Sequence, residues 1–229
     1  MRSAVRWAWV LAALVTVPLE AQERAAIAIL PFENSGSYGQ DKENFQALQL
    51  GIPATLGSAI ARHPGVSLVA GDRLAQVVKA QALGPEQRVD AATAAEIGKR
   101  AGARYVVTGS FADFYGKFRI NARVVDAGSG AILKVLSNDD PKQQDRAQLG
   151  AIIQSIAAKL VIAVGLPPLA PASGPAPEVP TEAITLYSKG LLYESRGDRG
   201  KAGDAFQRAL SAYPDYDDAR EGLRRVRGS

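Results

Sequence analysis

Apolar and polar positions recur with two different periods along the chain, and the changes of period mark its elements. Residues 25–32 (AAIAILPF) form a continuous apolar run closed by Pro31 and a polar ENSGS segment. This is the pattern of a strand buried on both faces, and the strand is expected to be central. Phe45, Leu48, Ile52, Leu56 and Ile60 then follow at three- and four-residue spacing. They predict a helix, kinked or restarted at Pro53 and stopped by His63-Pro64-Gly65. Residues 66–70 predict a short second strand. Asp72 is placed to cap a helix carrying Leu74, Val77, Val78 and Leu83, which Gly84-Pro85 ends. Asp90 or Thr93 opens another helix through Ala101, and Gly102 stands where a left-handed C-terminal cap belongs.

The period then changes to two. Residues 105–114 (YVVTGSFADF) and 117–125 (KFRINARVV) flank the dipeptide Tyr115-Gly116, the signature of a tight antiparallel hairpin. In the second strand Phe118, Ile120, Ala122 and Val124 alternate with Lys117, Arg119, Asn121 and Arg123, so one face is core and the other is wet and basic. Residues 126–130 (DAGSG) turn the chain into a third strand, 131–136. A last helix carries Leu149, Ile152, Ile153, Ile156, Ala157, Leu160, Val161 and Val164 on one stripe. The fold class these elements define is α+β: a mixed sheet with helices expected to cover one side of it.

Residues 167–180 (PPLAPASGPAPEVP) hold six of the thirteen prolines and no aromatic residue, which favours extended chain over a packed element. At about 3.1 Å per residue such a spacer reaches roughly 43 Å, so the elements flanking it need not touch. Beyond it, Leu186, Gly190, Tyr193, Ala202, Phe206, Ala209 and Pro214 fall at the spacing of a tetratricopeptide (TPR) helix-turn-helix unit, with Gly197-Asp198 between its helices. Lys189 stands where that pattern usually has leucine. Tyr193 and Phe206 are expected to fill the seam. Residues 215–226 predict a third, capping helix. One such unit is marginal alone and is expected to dock on something.

The N-terminus has a different character. Arg2 and Arg6 precede eleven almost wholly apolar residues, 7–17, and Ala21 offers a small residue before Gln22. That is the layout of a secretory signal peptide, and the run is too short for a membrane span before Pro18 and Glu20 interrupt it. Loss of Arg2, Arg6 and Glu20 lowers the net charge from +4 to +3. The expected organisation is a signal peptide 1–21, an α/β domain 22–166, a linker 167–180 and a helical module 181–229. The expected location is the periplasm, with peripheral association to the outer membrane open and no transmembrane segment in the mature chain.

Composition narrows the chemistry. With no cysteine, the chain has no disulfide framework, thiol nucleophile, cysteine-ligated zinc finger or lipid-bearing cysteine. A single histidine, His63, removes most serine-hydrolase and metalloenzyme constellations, and its place at a helix end reads as capping. Glu33, Asp113 and Asp126 lie at strand ends or turns, where acidic residues are common. Residues 36–39 (GSYG) and 128–130 (GSG) lack the Lys-Ser/Thr of a phosphate loop. Arg220, Arg224, Arg225 and Arg227 are interleaved with Asp217, Asp218 and Glu221, the pattern of a solvated helix. No catalytic, cofactor-binding or metal-ligating set emerges, and no nucleic-acid partner is indicated. Lys117, Arg119, Asn121 and Arg123, on the wet strand face beside an aromatic hairpin tip, are the candidate partner-binding residues.

The segments IAILPFENSG (27–36), DAATAAEIGKRAGARYVVTGSFADF (90–114) and FRINARVVDAGSGAIL (118–133) resemble the periplasmic domain of the CsgG family, which includes the curli secretion channel, and the related TolB N-terminal-like domain. The most specific stretch comprises Ala94, Ile97, Gly98, Gly102, Ala103, Tyr105, Val106, Val107, Thr108, Gly109, Ser110 and Phe111. Channel-forming members insert two long hairpins whose strands need about 9–11 alternating residues each. The turns at 115–116 and 128–130 leave no room for them, so the resemblance implies an exported domain without its own pore. The function so implied is non-enzymatic: a partner-binding or scaffold protein accessory to outer-membrane secretion, surface-appendage or envelope assembly, with protein partners or further copies of itself. A small-ligand or sensory module of the envelope is the alternative.

Overall fold

The computed structural model describes residues 24–37, 41–81, 89–138, 145–169 and 178–228; the leader, residues 1–21, lies outside them. Among the described residues the order is β1 (Ala25–Ile29), β2 (Glu33–Asn34), α1 (Lys42–Ala61), β3 (Val66–Leu68), α2 (Gly71–Ala80), α3 (Ala91–Ala101), β4 (Tyr105–Phe114), β5 (Lys117–Asp126), β6 (Ile132–Ser137), a single 3-10 turn (Arg146–Gln148), α4 (Leu149–Ala163), α5 (Thr181–Ser195), α6 (Arg199–Ala212) and α7 (Asp217–Arg227). The strands form one mixed sheet in the order β3-β1-β4-β5-β6, with β2 added to β4. The α+β class read from the sequence is the class observed.

β1 is an inner strand, parallel to β3 on one side and β4 on the other. Its continuous apolar run is explained by helices on both faces of the sheet rather than on one. Ile27 joins a core with Leu48, Ile52, Leu56 and Ile60 of α1 and Ile153, Ile156 and Leu160 of α4. Ala28 and Leu30 point the other way, into a second core with Leu74 of α2 and Ala94, Ile97 and Ala101 of α3. A strand whose two side-chain parities are both apolar needs two covers, and the one-sided arrangement expected from sequence gives way for that reason.

α1 runs unbroken through Pro53. A proline inside a helix leaves the carbonyl four residues earlier without its donor. Here that carbonyl, on Gln49, accepts from the Phe32 amide at 2.9 Å. The chain leaving β1 therefore supplies the bond the proline removes, and no restart is needed. Residues 33–34, the first two of the polar segment after β1, pair in parallel with Ser110 and Phe111 of β4. Asp72 is the second residue of α2, whose N-cap is Ala70, and its carboxylate accepts from the Arg73 amide at 2.7 Å. Asp90 caps α3 by accepting from the Thr93 amide at 2.7 Å, and Gly102 closes it at φ 78° in the left-handed region.

The β4–β5 hairpin has the predicted register and turn. Tyr115 (φ 54°) and Gly116 (φ 87°) both take the left-handed backbone that a two-residue primed turn requires. Asn138, just past β6, extends the ladder with its side chain: it accepts from the Ile120 amide at 2.7 Å and donates to the Phe118 carbonyl at 2.8 Å.

Residues 178–180 return the chain to the start of α4, where Glu178 accepts from the Ala151 amide and Thr181 donates to the Arg146 and Ala147 carbonyls. Leu166 and Leu169, at the other end of α4, pack on the main core. α5 lies along α1 so closely that a Cβ on Gly51 would overlap Ser188 Oγ. Ile184 of α5 is fully buried in the main core. Thr55 of α1 and Tyr216 hydrogen-bond through their hydroxyls at 3.3 Å, and Tyr193 donates to Glu43 at 2.8 Å. The surface on which α5–α7 dock is therefore α1.

Phe206 sits between α5 and α7 against Gly190 and Gly222, with the Tyr187 ring 5.9 Å away. Tyr187 fills the seam beside Phe206, and Tyr193, half-buried, packs against the same cluster while its hydroxyl donates to Glu43 and its ring faces the Lys201 ammonium. Leu186, Ala202 and Ala209 are buried in the same cluster, whereas Pro214 is exposed in the α6–α7 connection.

Candidate functional site

Cross-strand register assembles the wet sheet face row by row. Thr108 stands opposite Arg123, Ser110 opposite Asn121, Ala112 opposite Arg119 and Phe114 opposite Lys117. Glu33 extends the Ser110–Asn121 row on one side and Ser137 on the other, while Val135 neighbours Arg123. Lys117, Arg119, Asn121 and Arg123 are all exposed, while Phe118, Ile120, Ala122 and Val124 between them are buried to 1% exposure or less. The four candidates thus share one surface. α2 and α3 cover the β1 end of this side of the sheet, around Val106 and Val125, and stop short of the β5 cations. A shallow hollow of about 100 Å³ lies between Glu33, Val89, Thr108, Ser110, Asn121 and Arg123. Phe114 and Tyr115 project from the hairpin tip, and Leu133 and Val135 are exposed on β6.

The three carboxylates do not converge. Asp113 lies at the hairpin tip, where it accepts from the Gly116 amide at 2.7 Å and pairs with Arg146 at 2.8 Å. Arg146 also reaches Asp41 at 3.6 Å, so this group ties the hairpin to the segments preceding α1 and α4. Asp126 is at the far end of the same ten-residue strands, opposite Tyr105 and about 27 Å away by strand rise. It accepts from the Ser129 amide and hydroxyl, and these bonds hold its carboxyl below the usual range. Glu33 belongs to the wet face. His63 is buried, its Nδ1 accepting from the Gly65 amide at 3.0 Å, a helix-terminal role. Among the described residues no group of three His, Asp or Glu is arranged to hold a metal ion.

The basic end of α7 is internally paired. Arg220 contacts Asp217, Arg224 pairs with Glu221 at 2.7 Å, and Arg225 holds Glu194 of α5 through two bonds at 3.0 and 2.9 Å.

A second feature has no counterpart in the sequence reading. Between α1, α2 and α7, beside the ends of β1 and β3, lies a cleft of about 760 Å³. Its walls are mainly apolar: Ile29, Pro31, Leu68, Val78, and Pro53, Ala54 and Gly57 on α1. The polar lining comes from Asp218, Glu221 and Arg225 of α7, with Ser58 of α1, Lys79 of α2 and Tyr187 of α5. Burial raises the Asp218 carboxyl above its ordinary pKa; Ser58 and Arg225 act against this, Asp217 and Glu221 with it. These residues come from four separated stretches and share no sequence pattern, so no period or motif signals them.

No family model matches the chain, and no curated protein matches it. Among solved structures the chain is similar to the LpoB C-terminal domain from Salmonella enterica, with 18% identity over 51% of this chain and 82% of that one at a TM-score of 0.39. It is also similar to lipoprotein GNA1162 from Neisseria meningitidis, with 15% identity over 60% of this chain and 96% of that one at 0.39. TolB from Acinetobacter baumannii shares 16% identity over 62% of this chain and 28% of that one at 0.37.

Proposed function

We propose that this chain is an exported, non-enzymatic partner-binding protein of the cell envelope, and that its docking surface is the wet side of β4, β5 and β6. The observation that carries this reading is the placement of Lys117, Arg119, Asn121 and Arg123 together on an exposed side of a strand whose other side is wholly buried. A rigid sheet presenting cations and flanked by exposed Phe114, Tyr115 and Val135 suits a protein surface with acidic residues around an apolar centre. The leader supports export to the periplasm. The resemblance of residues 25–136 to the CsgG and TolB N-terminal-like domains supports a role beside secretion or envelope-assembly machinery. The tetratricopeptide-like spacing of α5 and α6 supplies a helical unit whose docking on α1 leaves the sheet face open.

The test is capture of partners from crosslinked envelopes by the wild-type chain and by an Arg119→Glu/Arg123→Glu variant. Neither side chain contributes to the core, so the melting temperature is expected to stay within a few degrees of wild type. Partner recovery is expected to fall at least tenfold, because rim charge reversal acts on encounter and pairing. Undiminished recovery of the same partners by the folded variant overturns the assignment of this face.

A further inference from the structure

We propose that the cleft between α1, α2 and α7 binds an amphiphilic amine, its apolar body lying between Ile29, Leu68, Val78 and Ala54 and its cationic head on the Asp218 carboxylate. This inference stands apart from the partner-binding reading and uses none of the β5 residues.

The volume, about 760 Å³, lies in the range of small-molecule sites, and the mix is theirs too: apolar walls with a few polar groups, most of them on α7. The space exists because α1 presents Ala54 and Gly57 where a larger side chain would close it; a Cβ on Gly57 would already touch Leu68 and Ile29 at 3.4 and 3.6 Å. α2 closes only part of the gap, since Leu74 is its one buried side chain while Ala75 and Lys79 line the cleft from its exposed side.

Charge decides which head group fits. Arg225 reaches the cleft but is held by both oxygens of Glu194, and Glu221 is paired with Arg224. Lys79 is exposed at the end of α2, in contact with water. Asp218 is half-buried, and among the described residues no cation forms an ion pair with it. A carboxylate withdrawn from water without a paired cation is stabilised by any cation brought to it. An anionic head would meet Asp218 and Glu221 together, whereas an ammonium would complete the charge balance of that wall. The apolar length from Ile29 and Leu68 to Asp218 asks for an alkyl or aryl body behind the amine.

The experiment is calorimetric titration of the full chain with decylamine, decanol and decanoate, each below its aggregation concentration. Decylamine is expected to bind about tenfold or more tightly than decanol, the increment of one charge-assisted hydrogen bond, and decanoate more weakly than either. Asp218→Asn, which keeps the shape of the side chain, is expected to reduce decylamine affinity to that of decanol. Ala75→Trp, on the exposed side of α2, is expected to abolish binding of both while α2 remains folded. Equal affinity for decylamine and decanoate, an amine preference that survives Asp218→Asn, or binding that survives Ala75→Trp overturns the proposal, as does the absence of binding by all three compounds.

Discussion

At the scale of single residues, Asp218 carries a measurable signature. Burial against the cleft raises its folded-state pKa above 3.8, with Asp217 and Glu221 of its own helix adding to the shift and Ser58 of α1 and Arg225 opposing it. Tyr187 of α5 and Lys79 of α2 face the same space. A carboxyl whose folded pKa is raised binds its proton more readily in the folded state, so stability falls as pH rises from the unfolded to the folded pKa, and the penalty persists above it. Asp218→Asn removes that penalty. The variant is expected to melt above wild type at neutral pH, with the difference shrinking as pH is lowered through the raised pKa toward 3.8. Melting curves from pH 7 down to pH 4 check this, and a difference independent of pH would show that Asp218 folds with an unshifted pKa. Asp126 runs the other way, since its bonds from Ser129 depress its pKa and its contribution is lost only in acid.

At the scale of elements, boundaries that depend on neighbouring residues were legible. Asp90 and Gly102 bracket α3 because capping is decided within three or four residues, and Tyr115-Gly116 sets the hairpin because a primed turn demands positive φ at both positions. Asn138 was not legible, because its partners are 18 and 20 residues away across a strand pair. It is 1% exposed and holds both the Ile120 amide and the Phe118 carbonyl. Asn138→Ala leaves two buried backbone groups of β5 without their partner, each at about 1–3 kcal/mol. The expected result is a loss of about 2–4 kcal/mol in denaturant unfolding with an unchanged m-value, and faster exchange of the Ile120 amide than of its strand neighbours. A loss below about 0.5 kcal/mol would mean that the β5 groups find other partners.

At the scale of the whole molecule, the docking of α5–α7 on α1 couples the two halves. Ile184 is part of the sheet domain's core, and the hydroxyls of Thr55 and Tyr216 meet across the contact. A shared core predicts one calorimetric unfolding transition for the chain. Phe206→Ala removes the ring at the centre of α5, α6 and α7, fully buried against Gly190 and Gly222, at about 3–5 kcal/mol. It is expected to lower that single transition as a whole. If Phe206→Ala instead splits the curve, with the upper transition unmoved, the helical unit unfolds independently of the sheet domain.

What the amino-acid order determined by itself was the inventory of elements and the faces they bury. The β5 alternation, the α4 stripe and the buried α5–α6 seam positions 186, 202, 206 and 209 are properties of short windows, where period and side-chain size leave one stable choice. Tertiary structure decided which of those faces meet. It passed the Gln49 carbonyl freed by Pro53 to Phe32, put helices on both sides of β1, brought α5 onto α1 after the proline-rich segment, and left a cleft walled by residues 29, 54, 68, 78 and 218. Such contacts join residues tens to more than a hundred positions apart. They are selected by the closing of a common core, so no local pattern records them.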